Sequence, residues 1–270
     1  MCSKQAKRKD IRIQKQSTKK HEGYKIHCLQ LNATSILPNL NEFRSLLAEI
    51  HPDLVCIQED GITADHVPYK VDGFIWLHHA RSQPRSPTGH IRGGGVSILV
   101  RSDLSRLRWK MLPPISLDDD VTTEMIRVRL YWTHPGGNLI LDVINIYRPP
   151  ISSSPHDIRQ DLFDVDRITP LHQDNQHLSS NPAAEFMEDT PSLSHLPTTV
   201  GVLLCGDFNA HHSTWDRYSK VDHKGKQMFQ FAIKHNLKLA NDGEPTCFLP
   251  AKHPTAVDLT FSNGDYAITD

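Results

Sequence analysis

The segment "VGVLLCGDFNAHHSTWD" brings an apolar run to a stop at Gly206 and sets Asp207, Asn209, His211 and His212 directly after it. The same pattern recurs. "YKIHCLQLN" ends on Asn32, "PDLVCIQED" ends on Gln58 and Glu59, and "NLILDVINIYRPP" ends on Tyr147. Buried carboxylates and amides are costly without partners, so these groups belong at strand ends that open on a cleft. Carboxylates are hard oxygen ligands suited to Mg²⁺, which keeps several waters and takes one or two of them. An asparagine adds a polar contact without the charge that would repel a phosphate. A tyrosine hydroxyl can hydrogen-bond a phosphate oxygen. Converging on one mouth, these residues suit metal-assisted phosphoester hydrolysis.

Each residue also has a purely structural reading. Asn32 can serve a turn, Glu59 can close an ion pair at a strand end, and Tyr147 can be a packing aromatic. The Gly-Asp-Phe-Asn run is the strongest of the set, because two polar side chains follow a buried strand with one residue between them. His211 and His212 are adjacent, so their rings point apart. They read as surface or DNA-facing residues rather than as a metal pair.

The elements that must position these groups follow from the pattern of apolar residues. Leu37, Leu40, Phe43, Leu46, Leu47 and Ile50 fall at helical spacing, which predicts an amphipathic helix between the first two strands. "GFIWLHHARS" and "GGGVSILV" read as strands. "TTEMIRVRLYW" alternates as a half-exposed antiparallel strand does, and a hairpin is expected around residues 134–138. Residues 151–199 are rich in Ser, Pro, His, Asp and Asn and read as a polar, mostly disordered insertion, with a short helix near 158–163. "GKQMFQFAIKHN" predicts a second helix. "LKLAND" and "PTCFL" read as short strands, and "TAVDLTFSN" as a last strand with Asp258 in its middle. Many strands and few helices argue for packed sheets covered by helices.

The chain has 270 residues and a formal net charge of −1, enough length for a sizeable core and no charge bias that names a partner. The distribution is uneven. Lys4, Lys7, Arg8, Lys9, Arg12, Lys15, Lys19 and Lys20 face only Asp10 among the first twenty residues. Residues 1–22 are therefore expected to form a disordered basic arm, a solvated tail or one that contacts nucleic acid or acts as a nuclear address, ahead of one domain over 23–270. The five cysteines form no Cys-x-x-Cys pair, so a zinc ribbon or a disulfide framework is not expected; three of them sit in apolar strands as core thiols. No apolar run reaches membrane-spanning length and the N-terminus has no signal-peptide core, so an intracellular chain with no membrane partner is expected.

Six segments then carry a resemblance. "LQLNATSILPNLNEFRSLLAEIHPDLVCIQE", "GGGVSILVR", "INIYRPP", "GDFNAHHSTWD", "LANDGEPTCF" and "AVDLTFSN" occur in this order. They resemble the endonuclease/exonuclease/phosphatase superfamily, and within it the N-terminal endonuclease domain of the reverse-transcriptase polyprotein of jockey-like and R1-like non-LTR retrotransposons. The resemblance implies an α/β (α+β) four-layer αββα sandwich: two packed, largely antiparallel sheets flanked by helices, with the site at one edge. It implies Mg²⁺-dependent nicking of target DNA, with Mn²⁺ as a substitute, leaving a 3′-hydroxyl that primes reverse transcription. In a full-length parent the partners would be DNA, element RNA and a reverse-transcriptase domain. The implied roles are Glu59 and Asn32 at the metal, Tyr147 on the scissile phosphate, and Asp207 and Asn209 on the attacking water. Thr246 would line the DNA groove, and Asp258 would orient a catalytic histidine.

That histidine belongs to a Ser-Asp-His motif downstream of the Asp258 strand, and no such motif occurs in these 270 residues. The chain reads as C-terminally incomplete, with the last strand or strands of the second sheet missing, an unpaired edge and exposed apolar surface left behind, and weak or no cleavage expected. In "QEDGI", Asp60 stands where related elements carry Thr and adds negative charge beside Glu59. Two other readings remain. One is a phosphatase or phosphodiesterase of the same superfamily, which would usually carry histidines near the Asn32 and Tyr147 positions. The other is a non-catalytic truncated relic.

Overall fold

The structure, a computed structural model, describes residues 7–13, 24–62, 70–80, 94–105, 107–113, 123–134, 137–149, 200–248, 253–263 and 267–269. The insertion 151–199 and the helix expected within it lie outside the described residues. In chain order the strands are β1 (Lys7–Ile13), β2 (Tyr24–Asn32), β3 (Leu54–Gln58), β4 (Phe74–His79), β5 (Val96–Arg101), β6 (Leu107–Leu112), β7 (Glu124–His134), β8 (Gly137–Tyr147), β9 (Gly201–Asp207), β10 (Leu237–Leu239), β11 (Asp258–Asn263) and β12 (Ala267–Thr269). Helix α1 (Leu40–Ile50) lies between β2 and β3, and α2 (His223–Lys234) lies between β9 and β10.

The strands form two sheets, ordered β12-β1-β2-β3-β5-β4 and β10-β11-β9-β8-β7-β6. Most pairs are antiparallel, but each sheet holds one parallel pair, β2 with β3 and β8 with β9. A parallel pair needs a crossover, and it delivers two strand C-termini to the same edge. α1 supplies the first crossover; most of the chain between β8 and β9 lies outside the described residues. Asn32 and Glu59 therefore arrive together in one sheet, and Tyr147 and Asp207 arrive together in the other.

Three apolar layers bind the sandwich. Ile26, Leu54, Ile98, Val128, Val143 and Leu203 belong to the core between the sheets. Phe43 and Leu47 of α1 close the outer face of the first sheet over Leu29, Val55, Ile57 and Leu99. Met228, Phe231 and Ala232 of α2 do the same for the second sheet over Ile144, Val202, Leu204 and Phe261. This is the four-layer αββα arrangement. α1 begins after a 3₁₀ turn, Leu37–Asn39, that accommodates Pro38, and ends where His51 turns left-handed and donates its N–H to the Leu47 carbonyl at 3.0 Å. Asp222 caps α2 by accepting the Gly225 N–H at 2.6 Å.

Several expectations change. Residues 7–13, expected in a disordered arm, form β1, which pairs along β2 from Lys7↔Gln30 to Ile13↔Tyr24. That ladder occupies the β2 edge of the first sheet, and β12 lies beyond it. "PTCFL" contributes only one bridge, Cys247↔Thr255. β6, with Trp109 and Met111 outward, has no counterpart in the sequence reading because its apolar signal is weak. β7 is mostly buried rather than half-exposed, since Arg127 and Glu124 are themselves buried. Asp258 begins β11 instead of lying in its middle. No helix among the described residues is long and apolar enough to cross a membrane.

Candidate active site

The strand register places three of the expected residues side by side in the second sheet. Tyr147 pairs with Asp207 across β8 and β9, and Asp258 pairs with Asp207 across β9 and β11. Asp207 is thus flanked by a tyrosine and a second carboxylate on neighbouring strands. Gly206 makes this possible: a Cβ there would lie 2.2 Å from the Ile146 carbonyl oxygen, so the close approach of the two backbones admits no side chain.

The first sheet meets this trio through Asn32. Its Nδ2 donates to Glu59 Oε1 at 2.7 Å and to Asp207 Oδ2 at 2.6 Å, joining two carboxylates that come from different sheets. Asn32, Asp207 and Tyr147 are buried, while Glu59 and Asn209 are half-buried. The backbone holds Glu59 in place. Ala33, Ser35 and Ile36 donate their N–H groups to the Gln58, Glu59 and Asp60 carbonyls at 2.8, 2.7 and 2.9 Å. Glu59 and Asn209 take left-handed φ values of 52° and 42°. Such conformations cost about 1–3 kcal/mol in a non-glycine residue and cluster at sites of function.

Asn209 is fixed from both sides. Its N–H donates to Asp207 Oδ1 at 3.0 Å, and its Nδ2 donates to the Arg148 carbonyl at 2.9 Å. Thr246 is buried, and its Oγ1 accepts the Val257 and Asp258 N–H groups at 3.2 and 3.0 Å. That contact anchors the start of β11 and with it the Asp258 backbone. Asn32, Glu59, Tyr147, Asp207, Asn209 and Asp258 are therefore linked by hydrogen bonds or strand register, and Thr246 joins them through Asp258.

The donor set is chemically suited to a hard divalent cation: two carboxylates, Glu59 and Asp207, are held on one amide, whose carbonyl oxygen accepts the Thr34 N–H at 3.3 Å. Asp60 is not part of it. Its carboxylate is turned inward, takes the Ser97 hydroxyl and accepts the Ile62 N–H at 2.9 Å. Burial pushes its pKa up to about 6 against these hydrogen bonds, with the Glu124 carboxylate adding to the rise.

Several supporting residues escaped the sequence reading. Gln58 Nε2 donates to Asn145 Oδ1 at 2.5 Å, and Asn145 Nδ2 donates to the Ile57 and Ser97 carbonyls. Gln30 Nε2 donates to the Gly206 carbonyl at 2.8 Å and its Oε1 accepts from the Thr260 hydroxyl at 2.7 Å. These amides stitch the two sheets together beneath the site. Their signal is an amide inside an apolar run, as in "CLQLN", "VCIQE" and "VINIY". Arg148 is buried next to Tyr147, donates its N–H to the Asp207 carbonyl at 2.8 Å and reaches Gln227 of α2 at 3.1 Å.

The two adjacent histidines go to different partners. His211 Nδ1 lies 2.7 Å from Asp216 Oδ2, and its N–H donates to Asp222. His212 stacks on Phe229 at 4.4 Å between ring centroids. Both are half-buried and engaged rather than free surface groups.

Residues 141–269, which include Tyr147, Asp207, Asn209, Thr246 and Asp258, match a family model described as endonuclease-reverse transcriptase. No curated protein matches the chain in sequence. Among solved structures, the endonuclease domain of TRAS1, a telomere-specific non-LTR retrotransposon, is similar at 16% identity over 88% of this chain and 84% of that one, with a TM-score of 0.51. AP endonuclease LMAP from Leishmania major is similar at 12% identity over 88% and 79%, with a TM-score of 0.53. The 3′ phosphatase NExo from Neisseria, bound to a product DNA hairpin, is similar at 16% identity over 88% and 86%, with a TM-score of 0.50. At these identities the likeness to the solved structures is one of fold.

Proposed function

We propose that this chain is an endonuclease/exonuclease/phosphatase-superfamily domain of the retrotransposon-endonuclease type and nicks DNA by Mg²⁺-dependent phosphodiester hydrolysis. The nick leaves a 3′-hydroxyl from which a reverse transcriptase of the same element extends, so element RNA and that domain are its partners. The observation that carries this reading is the Asn32 bridge, which joins the Glu59 and Asp207 carboxylates across the two sheets at the end where the parallel pairs converge.

Glu59 and Asn32 would hold Mg²⁺, or Mn²⁺ in its place, which when bound offsets the negative charge that builds on the phosphate. Asp207 orients the attacking water and accepts its proton. Asn209 holds that water and a phosphate oxygen, from a backbone already fixed on Asp207 Oδ1. Tyr147, beside Asp207, donates to a non-bridging oxygen. Asp258, paired with Asp207 on its other side, orients an imidazole, and Thr246, which accepts the Asp258 N–H, lines the DNA groove. The basic residues between Lys4 and Lys20 add phosphate contacts and a nuclear address.

No Ser-Asp-His segment lies within residues 1–270, so this polypeptide alone is expected to cut slowly, since a general acid–base partner is typically worth about 10²–10⁴ in rate. The test is nicking of supercoiled plasmid with Mg²⁺, by residues 1–270, by Asp207→Ala, and by a polypeptide extended with a family strand bearing Ser-Asp-His. The expected result is fast nicking by the extended form, slow nicking by residues 1–270 and none by Asp207→Ala. Hydrolysis of a soluble phosphomonoester without plasmid nicking would overturn it in favour of a phosphatase. No cleavage by any form would mark a non-catalytic domain.

A further inference from the structure

Beneath the carboxylate site, three thiols meet in the middle of the sandwich. Cys28 of β2, Cys56 of β3 and Cys205 of β9 are all buried, and their sulfurs lie within 4.8 Å of one another. Two come from one sheet and one from the sheet opposite. Cys28 and Cys56 lie on the inward face of the parallel pair, where Cys28 pairs with Leu54 and Cys56 with Gln30. Around them the core is aliphatic, with Ile26, Leu54, Val96, Ile98, Val143 and Leu203 in the same cluster. The thiols' partners are therefore largely each other, and these contacts with Cys205 and Cys28, then burial, push the Cys56 thiol well above its ordinary range.

We propose that Cys28, Cys56 and Cys205 form a three-sulfur site for a soft d¹⁰ metal ion of the zinc class, a structural staple between the two sheets. The three sulfurs fill three of the four positions a zinc-class ion usually takes, and metal–sulfur bonds of about 2.3 Å hold such sulfurs about 4 Å apart, so little movement separates the present spacing from a bound one. Thiolates favour soft ions, whereas the oxygen donors at Glu59 and Asp207 favour hard ones, so the two sites select different metals. On binding, each ligating thiol gives its proton to solvent and keeps its electron pair for the metal–sulfur bond; no oxidant is involved. Burial means that the ion enters during folding, not through the finished sandwich.

The location gives the staple a purpose. Cys28 lies four residues before Asn32, Cys56 three before Glu59, and Cys205 two before Asp207. An ion here would fix the relative height of the three strands whose ends carry the candidate active site, and it would fix the gap between the sheets that the Asn32–Asp207 hydrogen bond spans.

The experiment uses the full chain with Cys2→Ser and Cys247→Ser, so that only the three core thiols remain. The reduced, unfolded protein is refolded with Cd²⁺ and then passed through a weak chelator. The expected result is about one Cd²⁺ retained per chain, the ultraviolet charge-transfer band of cadmium thiolate, and a higher denaturation midpoint than the metal-free protein. Oxygen ligands give no such band, so ion at Glu59 is silent. Adding Cys56→Ala should remove the band; Cys56→Val, which refills the volume, is the second variant should the alanine form fail to fold. A folded parent protein that retains no Cd²⁺ overturns the proposal. So does a band that survives both Cys56 substitutions.

Discussion

Asn32 and Asp207 stand 175 positions apart in the chain and touch at 2.6 Å, each at the last residue of a strand in a different sheet. The contact is charge-assisted and buried, which makes it stronger than an ordinary amide hydrogen bond. It also lets Glu59 and Asp207 share one donor instead of repelling across the cleft. Asn32→Ala should therefore lower Mg²⁺-dependent nicking by about 10²-fold while leaving the folded circular dichroism unchanged. Asn32→Asp should be worse, because it sets a third anion against two. A parental nicking rate in Asn32→Ala would remove this bridge from the catalytic machinery.

Gly206 tests the backbone that carries Asp207. Its Cα hydrogen faces the Ile146 carbonyl, and its own carbonyl accepts from Gln30 of the opposite sheet. Gly206→Ala must push β8 and β9 apart just below the site. Overpacking of this kind costs about 1–3 kcal/mol. The expected result is a lower urea midpoint and loss of nicking beyond what the lost stability explains. An unchanged midpoint would show that the strand pair yields without cost.

Gln58 and Asn145 form a buried pair between the sheets, and both are fully enclosed. Removing one leaves the other's amide short of a partner, at about 1–3 kcal/mol. Gln58→Leu and Asn145→Leu should each destabilise the fold. The double variant should cost less than the two singles combined, because the Gln58–Asn145 hydrogen bond is then lost only once. Strict additivity in a double-mutant cycle measured by urea denaturation would mean that the contact contributes nothing.

These amides also mark how far the sequence could be read. The layered fold was legible because apolar periodicity is a strong signal: the helix at Leu40–Ile50 and the strands ending on Asn32, Tyr147 and Asp207 all stand where the pattern puts them. The tips converge because β2 with β3 and β8 with β9 are parallel, and the order of elements already implied the first of these pairs. Gln30, Gln58, Asn145 and Thr260 were not legible, since a polar residue in an apolar strand does not name its partner, and these partners lie across the sandwich. Asp60 shows a second limit. Adjacent carboxylates in sequence, Glu59 and Asp60, face opposite ways once Glu59 takes a left-handed φ. β1 shows a third: seven residues with little apolar character gain a structure from pairing with β2 and β12, which lie far from one another in the chain.

Asp216 gives the pH dependence. It is buried, and burial alone would raise its pKa. The hydrogen bonds from His211, Ser219 and the Tyr218 N–H outweigh that and hold it below the usual carboxylate range. A folded-state pKa below the unfolded one means that the ionised form is favoured by folding. Its contribution is present above the unfolded pKa of about 4 and disappears as the pH falls through the lower folded value. Asp216→Asn should therefore destabilise the protein at pH 7 and do so progressively less as the pH falls below about 4, where the unfolded parent begins to take up the proton that the folded parent resists. His211 should lose its orientation in the variant, since its Nδ1 rests on that carboxylate at 2.7 Å. Urea midpoints of the two proteins across pH 3–7 make the comparison. Curves that run parallel over that range would show that the His211–Asp216 contact carries no pH-dependent stability.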